Sequence, residues 1–206
     1  GKIDWASHAN DGATAVHEVL SFNESVEKAY EFYLAHPEET LIVVTADHET
    51  GGLVVGNGSS TLRVGNFLNQ QKSQGEISTL LNDFRNKNSK ASWEEVKEFL
   101  GQRLGLWKQI KVSESDEKEI FTAFENSFIN HQNETAKSLY ETNNKIASLA
   151  VSVLNKASSI GWASGGHSAG YIPIFAIGVG AENFKNKMDN IDIPRTVSKI
   201  AGWEMK

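Results

Sequence analysis

Asp47 and His48 stand side by side immediately after the apolar, β-branched run Leu41-Ile42-Val43-Val44-Thr45-Ala46. Such a run reads as a buried strand, and open α/β sheets hold their ligands just past the carboxyl ends of strands. There, an adjacent carboxylate and imidazole can offer one oxygen and one nitrogen to a divalent cation. Taken alone, the pair also reads as a loop carboxylate beside a surface histidine. Asp4 and His8 supply a second pair. Four residues apart at the start of a helical segment, they share one face and can share a metal. His167 adds a third imidazole, in a glycine-rich loop (Trp162-Ala163-Ser164-Gly165-Gly166) ahead of an apolar run. Two carboxylates and three imidazoles suit two closely spaced zinc ions. Ions about 4 Å apart divide the work of an in-line displacement: one lowers the pKa of the nucleophile, the other stabilises the leaving oxygen.

Composition narrows the class. The chain has 206 residues, enough for one domain or a large part of one. With 39% hydrophobic residues and a mean hydropathy of -0.37, it reads as a soluble protein with a sizeable core. A net charge of -6 argues against a nucleic-acid binder, which needs a basic face. The most apolar stretch, around Ile146 to Leu154, is too short to span a membrane and carries Ser148 and Ser152. There is no cysteine, so disulfides and thiolate metal sites are excluded. A metal must then be held by His, Asp or Glu, which favours zinc, magnesium or manganese. The opening Gly1-Lys2-Ile3-Asp4 lacks an initiator methionine and reads as the interior of a longer protein.

Three zones position the candidates. Residues 1–58 are α/β in character. A helix is expected over Ala9 to Leu20, and a second starts at Phe22-Asn23, with Asn23 as its N-cap. Pro37 ends that helix before the Leu41 strand. Residues 59–159 are polar and helical, an insertion that covers or caps the sheet. Ser92 and Glu95 fit a capping box. Trp93, Val96, Phe99 and Leu100 mark one buried face, Ile120, Phe121, Phe124 and Phe128 the next. Leu139, Ile146, Leu149, Val153 and Leu154 mark a long third helix. These stripes are packing surfaces. Residues 160–206 return to α/β, with a strand over Ile172 to Gly178 and a final helix opening at Asp192-Ile193-Pro194.

Three stretches together resemble the alkaline phosphatases. They are Ile3-Asp4-x-x-x-His8-Ala9-Asn10-Asp11, Thr45-Ala46-Asp47-His48-Glu49-Thr50-Gly51-Gly52, and His167 followed by Ile172 to Gly178. Their order fits that family's C-terminal half, as do Gly180-Ala181-Glu182-Asn183-Phe184 and Asp192-Ile193-Pro194; residues 59–159 match only as a region of variable insertions. The resemblance implies a doubly wound, mostly parallel sheet between helices, and a phosphomonoester hydrolase using two zincs and one magnesium. It assigns Asp4, His8 and His167 to one zinc, and Asp47 and His48 to the second. A serine that becomes phosphorylated, a phosphate-clamping arginine, an Asp completing the second zinc and a magnesium-binding Glu would lie upstream of Gly1. Trp5 falls at a family position that tunes phosphate contacts. Export to the periplasm or the exterior, a homodimer and an N-terminal companion chain are further implications; a membrane span and nucleic-acid binding are not.

The remaining histidines read more plainly. His17 is a packing or surface residue, and His36 and His131 lie at the surface. Glu49 either orients a ligand or caps its loop. Asn23-Glu24-Ser25, Asn57-Gly58-Ser59 and Asn133-Glu134-Thr135 match the glycosylation pattern, which is common by chance. Two rival functions stand beside the monoesterase. A nucleotide phosphodiesterase of the same superfamily uses the same kind of ligands, and a non-catalytic zinc-binding module needs no nucleophile.

Overall fold

A computed structural model of the chain describes residues 1–132, 135–137 and 142–204. Its first elements are α1 (Lys2–His8), α2 (Gly12–Ala35), β1 (Leu41–Val44), β2 (Glu49–Thr50) and β3 (Leu53–Val55). Then come α3 (Gln74–Lys87), α4 (Trp93–Leu104), α5 (Glu114–Phe124), β4 (Thr135–Lys137) and β5 (Thr142–Asn144). The chain continues through α6 (Lys145–Ala157), β6 (Ile160–Trp162), β7 (His167–Ser168), β8 (Phe175–Gly178) and α7 (Asp192–Ala201). Expected Leu139 and the Asn133-Glu134 pair lie outside the described residues.

The contacts divide the chain differently from the three sequence zones. One compact unit joins residues 1–19 to 50–166, and the other joins 20–49 to 167–206. The polar helical stretch therefore shares its unit with α1 and the start of α2. The core of that unit is built on α6, whose apolar residues recur at three- and four-residue spacing and pack against α3, α4 and α5. Ile146, Leu154, Leu81, Leu100 and Ile120 are completely buried there. Asn144 caps α6 by accepting the Ile146 N–H at 2.9 Å, and the Ser92–Glu95 capping box opens α4.

The joint between this core and α1 is polar. Asp11, 1% exposed, sits just before α2 and accepts the Thr14 N–H at 3.1 Å and the Thr14 hydroxyl at 2.7 Å. It also accepts from Gln70 Nε2 and from the backbone N–H of Gln74, the first residue of α3, both at 2.7 Å. One carboxylate thus serves two helix N-termini, where the peptide dipoles favour negative charge. Asn155 of α6 completes the joint, donating to the Asn10 carbonyl at 2.7 Å and accepting the Gly12 N–H at 3.2 Å. A Cβ at position 12 would meet Asn155 Oδ1 at 2.5 Å, so only glycine allows that approach.

In the second unit, α2 continues from Leu20 to Ala35 without a break. The second helix expected at Asn23 does not start there. Neither Phe22 nor Asn23 stops the i to i-4 ladder, and exposed Asn23 faces solvent from the helix interior. Pro37 does follow the helix end. β1 and β8 pair antiparallel, with Leu41 opposite Gly178 and Val44 opposite Phe175. The named ladders β3–β6 and β4–β5 are antiparallel too, and each described sheet has two strands. β1 is half-buried rather than fully buried, and Phe175 on β8 is 64% exposed, because each strand has one ladder neighbour among the described residues. The last strand begins at Phe175, three residues later than expected, and α7 begins at Asp192 with Pro194 in its first turn.

A second cluster ties α4 to α5. Glu117 accepts from Lys97 Nζ and from Trp107 Nε1, both at 3.0 Å, and these two bonds hold its carboxyl below the ordinary value near 4.5. A depressed folded-state pKa contributes stability that is fully present above about pH 4.5 and is lost as pH falls through the folded value. Lys97→Met should flatten that acid-side loss, measured as the slope of unfolding free energy against pH below 5. Asp11→Asn, which puts an NH₂ group against donors, should cost about 3 kcal/mol in urea unfolding followed by circular dichroism.

Candidate metal centre

In the first unit, α1 carries Asp4 and His8 on one face, as their spacing requires. His8 Nε2 lies 3.5 Å from Asp4 Oδ1, and both side chains are largely shielded from solvent. The other ring nitrogen, Nδ1, is 3.0 Å from the Gly165 carbonyl oxygen. A carbonyl only accepts, so Nδ1 carries a proton, and Nε2 is the ring nitrogen turned toward the carboxylate. The Thr50 hydroxyl donates to Asp4 Oδ1 at 2.6 Å. His8 is therefore oriented from behind, as metal ligands commonly are, and Thr50 holds the Asp4 oxygen that faces it.

The second unit repeats the arrangement. Asp47 and His48 follow β1, with His48 Nε2 3.5 Å from Asp47 Oδ2. His48 Nδ1 is 3.2 Å from the Glu49 carbonyl, which sets the same tautomer. The antiparallel register explains why His167 arrives here. Val44 at the end of β1 opposes Phe175 at the start of β8, so the residues after one strand meet those before the other. The Thr45 hydroxyl donates to the Pro173 carbonyl at 3.2 Å, and the Glu49 carboxylate accepts the Ser168 N–H at 3.1 Å. The His167 and His48 rings stack with centroids 3.7 Å apart. Beside Asp47 opens a cleft of about 660 Å³, walled by Thr45, Tyr171, Ile174, Lys187 and Asp189. Lys187 Nζ donates to Tyr171 Oη at 2.6 Å and lies 4.3 Å from the ring centre.

The structure thus pairs Asp4 with His8 in one unit, and gathers Asp47, His48 and His167 in the other. Among the described residues, no three His, Asp or Glu side chains converge on one point that would hold a metal ion. The donor set nonetheless fits a divalent cation: two carboxylate–imidazole pairs, each imidazole with Nδ1 on a main-chain carbonyl and Nε2 toward a carboxylate oxygen. Trp5, about half exposed on α1, borders a cleft of about 230 Å³ with Lys2, Glu18 and Ser73. His17, His36 and His131 are exposed. Sequence reasoning did not single out Thr50 and Gly165 as supports for Asp4 and His8. No local signal marks them, because their contacts cross 46 and 157 residues.

Comparison with known proteins places this geometry in context. A family model described as alkaline phosphatase matches residues 1–203. Alkaline phosphatase 3 of Bacillus subtilis (strain 168) is 28% identical over 207 residues, covering 100% of this chain and 39% of that protein. The crystal structure of a cold-active alkaline phosphatase from Shewanella sp. superposes with a TM-score of 0.69 at 26% identity, covering 98% of this chain and 44% of that one. The Thermus thermophilus alkaline phosphatase, 22% identical, shares the fold with a TM-score of 0.72 over 100% of this chain and 43% of that one. The chain spans less than half the length of these relatives.

The ligand roles are tested by zinc content in the whole protein. His8→Ala and His48→Ala should each lower bound zinc by about one ion per site, measured by plasma mass spectrometry after desalting. Unchanged zinc in either variant excludes that residue.

Proposed function

Since the chain belongs to the alkaline phosphatase family, we propose that it carries most of the zinc ligands of a metal-dependent phosphomonoester hydrolase. The observation that carries this reading is the repeated pair: two imidazoles, each with Nδ1 on a backbone carbonyl and Nε2 3.5 Å from a carboxylate oxygen. Asp4, His8 and His167 would hold one zinc, Asp47 and His48 the second, with one magnesium nearby. When bound, such ions lower the pKa of an oxygen nucleophile and stabilise the leaving oxygen. The role of this chain is to orient. Asp4 and His8 are held by Thr50 and Gly165, and Asp47 lines the cleft in which Lys187 offers a positive charge to an anionic ester.

The catalytic serine would come from outside residues 1–206, a reading supported by the chain spanning 39% of its Bacillus relative. In the first step the serine oxygen bonds to phosphorus, the ester P–O bond breaks, and the leaving alcohol gains a proton. In the second, water bonds to phosphorus and gives up a proton, the serine O–P bond breaks, the serine oxygen takes up a proton, and inorganic phosphate leaves. The β1–β8 ladder would be one part of a doubly wound, mostly parallel sheet. Exposed Phe175 and Ile177 are apolar surface that a wider sheet and its helices would bury. Among the described residues no helix is long and apolar enough to cross a membrane. Export to the periplasm or the exterior, and assembly as a homodimer, complete the proposal.

A chromogenic monoester such as p-nitrophenyl phosphate tests it. The whole protein should hydrolyse it only when loaded with zinc, while residues 1–206 alone should give no turnover. Zinc-dependent turnover by residues 1–206 alone would place the nucleophile inside this chain. Faster turnover of bis(p-nitrophenyl) phosphate than of the monoester would assign the whole protein to the diesterases instead.

A further inference from the structure

Gly51 stands at a crossing of three segments in the first unit. Its N–H donates to the Gly166 carbonyl at 2.7 Å, and its own carbonyl accepts from Ala163 at 2.9 Å and Ser164 at 3.0 Å. Its φ of +83° lies in the left-handed region that side chains rarely adopt. A Cβ there would meet Trp162 Cε3 at 2.7 Å and the Ser7 carbonyl, on α1 itself, at 3.1 Å. Glycine at 51 is therefore demanded twice, by conformation and by the Trp162 face. The 163–166 turn is also fastened to the end of α1. With its amide oriented to donate, Asn10 reaches the Ser164 carbonyl at 2.9 Å and the Ser7 carbonyl at 3.0 Å.

Both supports of the Asp4–His8 pair hang on this crossing. Thr50, which donates to Asp4 Oδ1, is the residue before Gly51, and Gly165, whose carbonyl receives His8 Nδ1, lies in the turn that Gly51 holds. The two supports come from segments more than a hundred residues apart in the chain, yet one glycine ties them together. We propose that Thr50, Gly51 and the face of Trp162 form a positioning clamp that sets the Asp4 carboxylate and the His8 tautomer as a unit, and thereby the affinity of that half-site for a divalent ion. The inference rests on the ligand roles proposed above for Asp4 and His8. The clamp residues touch neither substrate nor metal; they act through the two ligands. Outer supports of this kind typically govern metal affinity by about 10- to 100-fold.

The test measures zinc affinity in the whole protein by competition with a chelator of known affinity, independently of turnover. Thr50→Val, which keeps the side-chain shape and removes the hydroxyl, should weaken zinc binding by about 10- to 100-fold with an unchanged thermal midpoint. Thr50→Ser should recover most of that affinity, which a purely structural role for the side chain would not produce. Gly51→Ala should weaken zinc binding in the same range. Should that variant fail to fold, the Thr50 pair alone decides the outcome. Asp4→Ala is the reference. If Asp4→Ala loses affinity while Thr50→Val and Thr50→Ser both bind as the wild type does, the clamp is overturned and the ligand assignment stands. If Asp4→Ala itself leaves affinity unchanged, the ligand assignment falls, and the clamp with it.

Discussion

A carboxylate taken out of water has to be met by donors, because burial of an unpartnered charge costs many times what a single hydrogen bond contributes. Asp11 meets this demand with two backbone amides, a hydroxyl and a side-chain amide, and each of those donors belongs to an element that must then be in place. The start of α2, the turn at Gln70 and the first residue of α3 are fastened around one group. Asn155 adds α6 to the same joint. The apolar helical core is thereby keyed to the short helix that carries Asp4 and His8. A hydrophobic core alone is tolerant of sliding; a buried network that must be fully satisfied is far less so.

The two carboxylate–imidazole pairs use one local solution on two different backbones. In α1 the pair is a helical repeat, and in the Asp47-His48 loop it is a pair of neighbours. In both, a main-chain carbonyl takes Nδ1–H and leaves Nε2 toward the carboxylate. The carbonyl that accepts from His8 lies 157 residues away in the chain, whereas that for His48 belongs to the next residue. Only the first therefore needs a tertiary device to hold it, and the Gly51 crossing is the device present. The second depends instead on the antiparallel register of β1 and β8, which carries His167 to the ring of His48.

Much of this could be read from residue order. The Asp4–His8 spacing specified a shared helical face, the Ser92–Glu95 capping box formed as its motif predicts, and the Leu41 run formed a strand. The family resemblance drawn from the three motifs holds over residues 1–203. Errors arose where short-range signals stood in for long-range ones. Asn23 resembled a helix cap, but capping is only a preference, and an unbroken ladder with no proline, and no glycine beyond Gly12, prevailed. Composition set off residues 59–159 as an insertion but does not report which neighbours its helices pack on; in the structure they share a compact unit with residues 1–19.

The sequence by itself determined the donor types, the absence of thiolates, the helical placement of Asp4 and His8, and the family. These follow from local periodicity and motif order, which a linear string contains. Only the tertiary structure decided that Asp11 binds two helices, that Thr50 and Gly165 stand behind Asp4 and His8, and that Gly51 must lack a side chain. Each of these depends on atoms brought within about 3 Å by chain folding over tens to more than a hundred residues. Residue order does not encode such distances locally; packing and hydrogen-bond satisfaction select them.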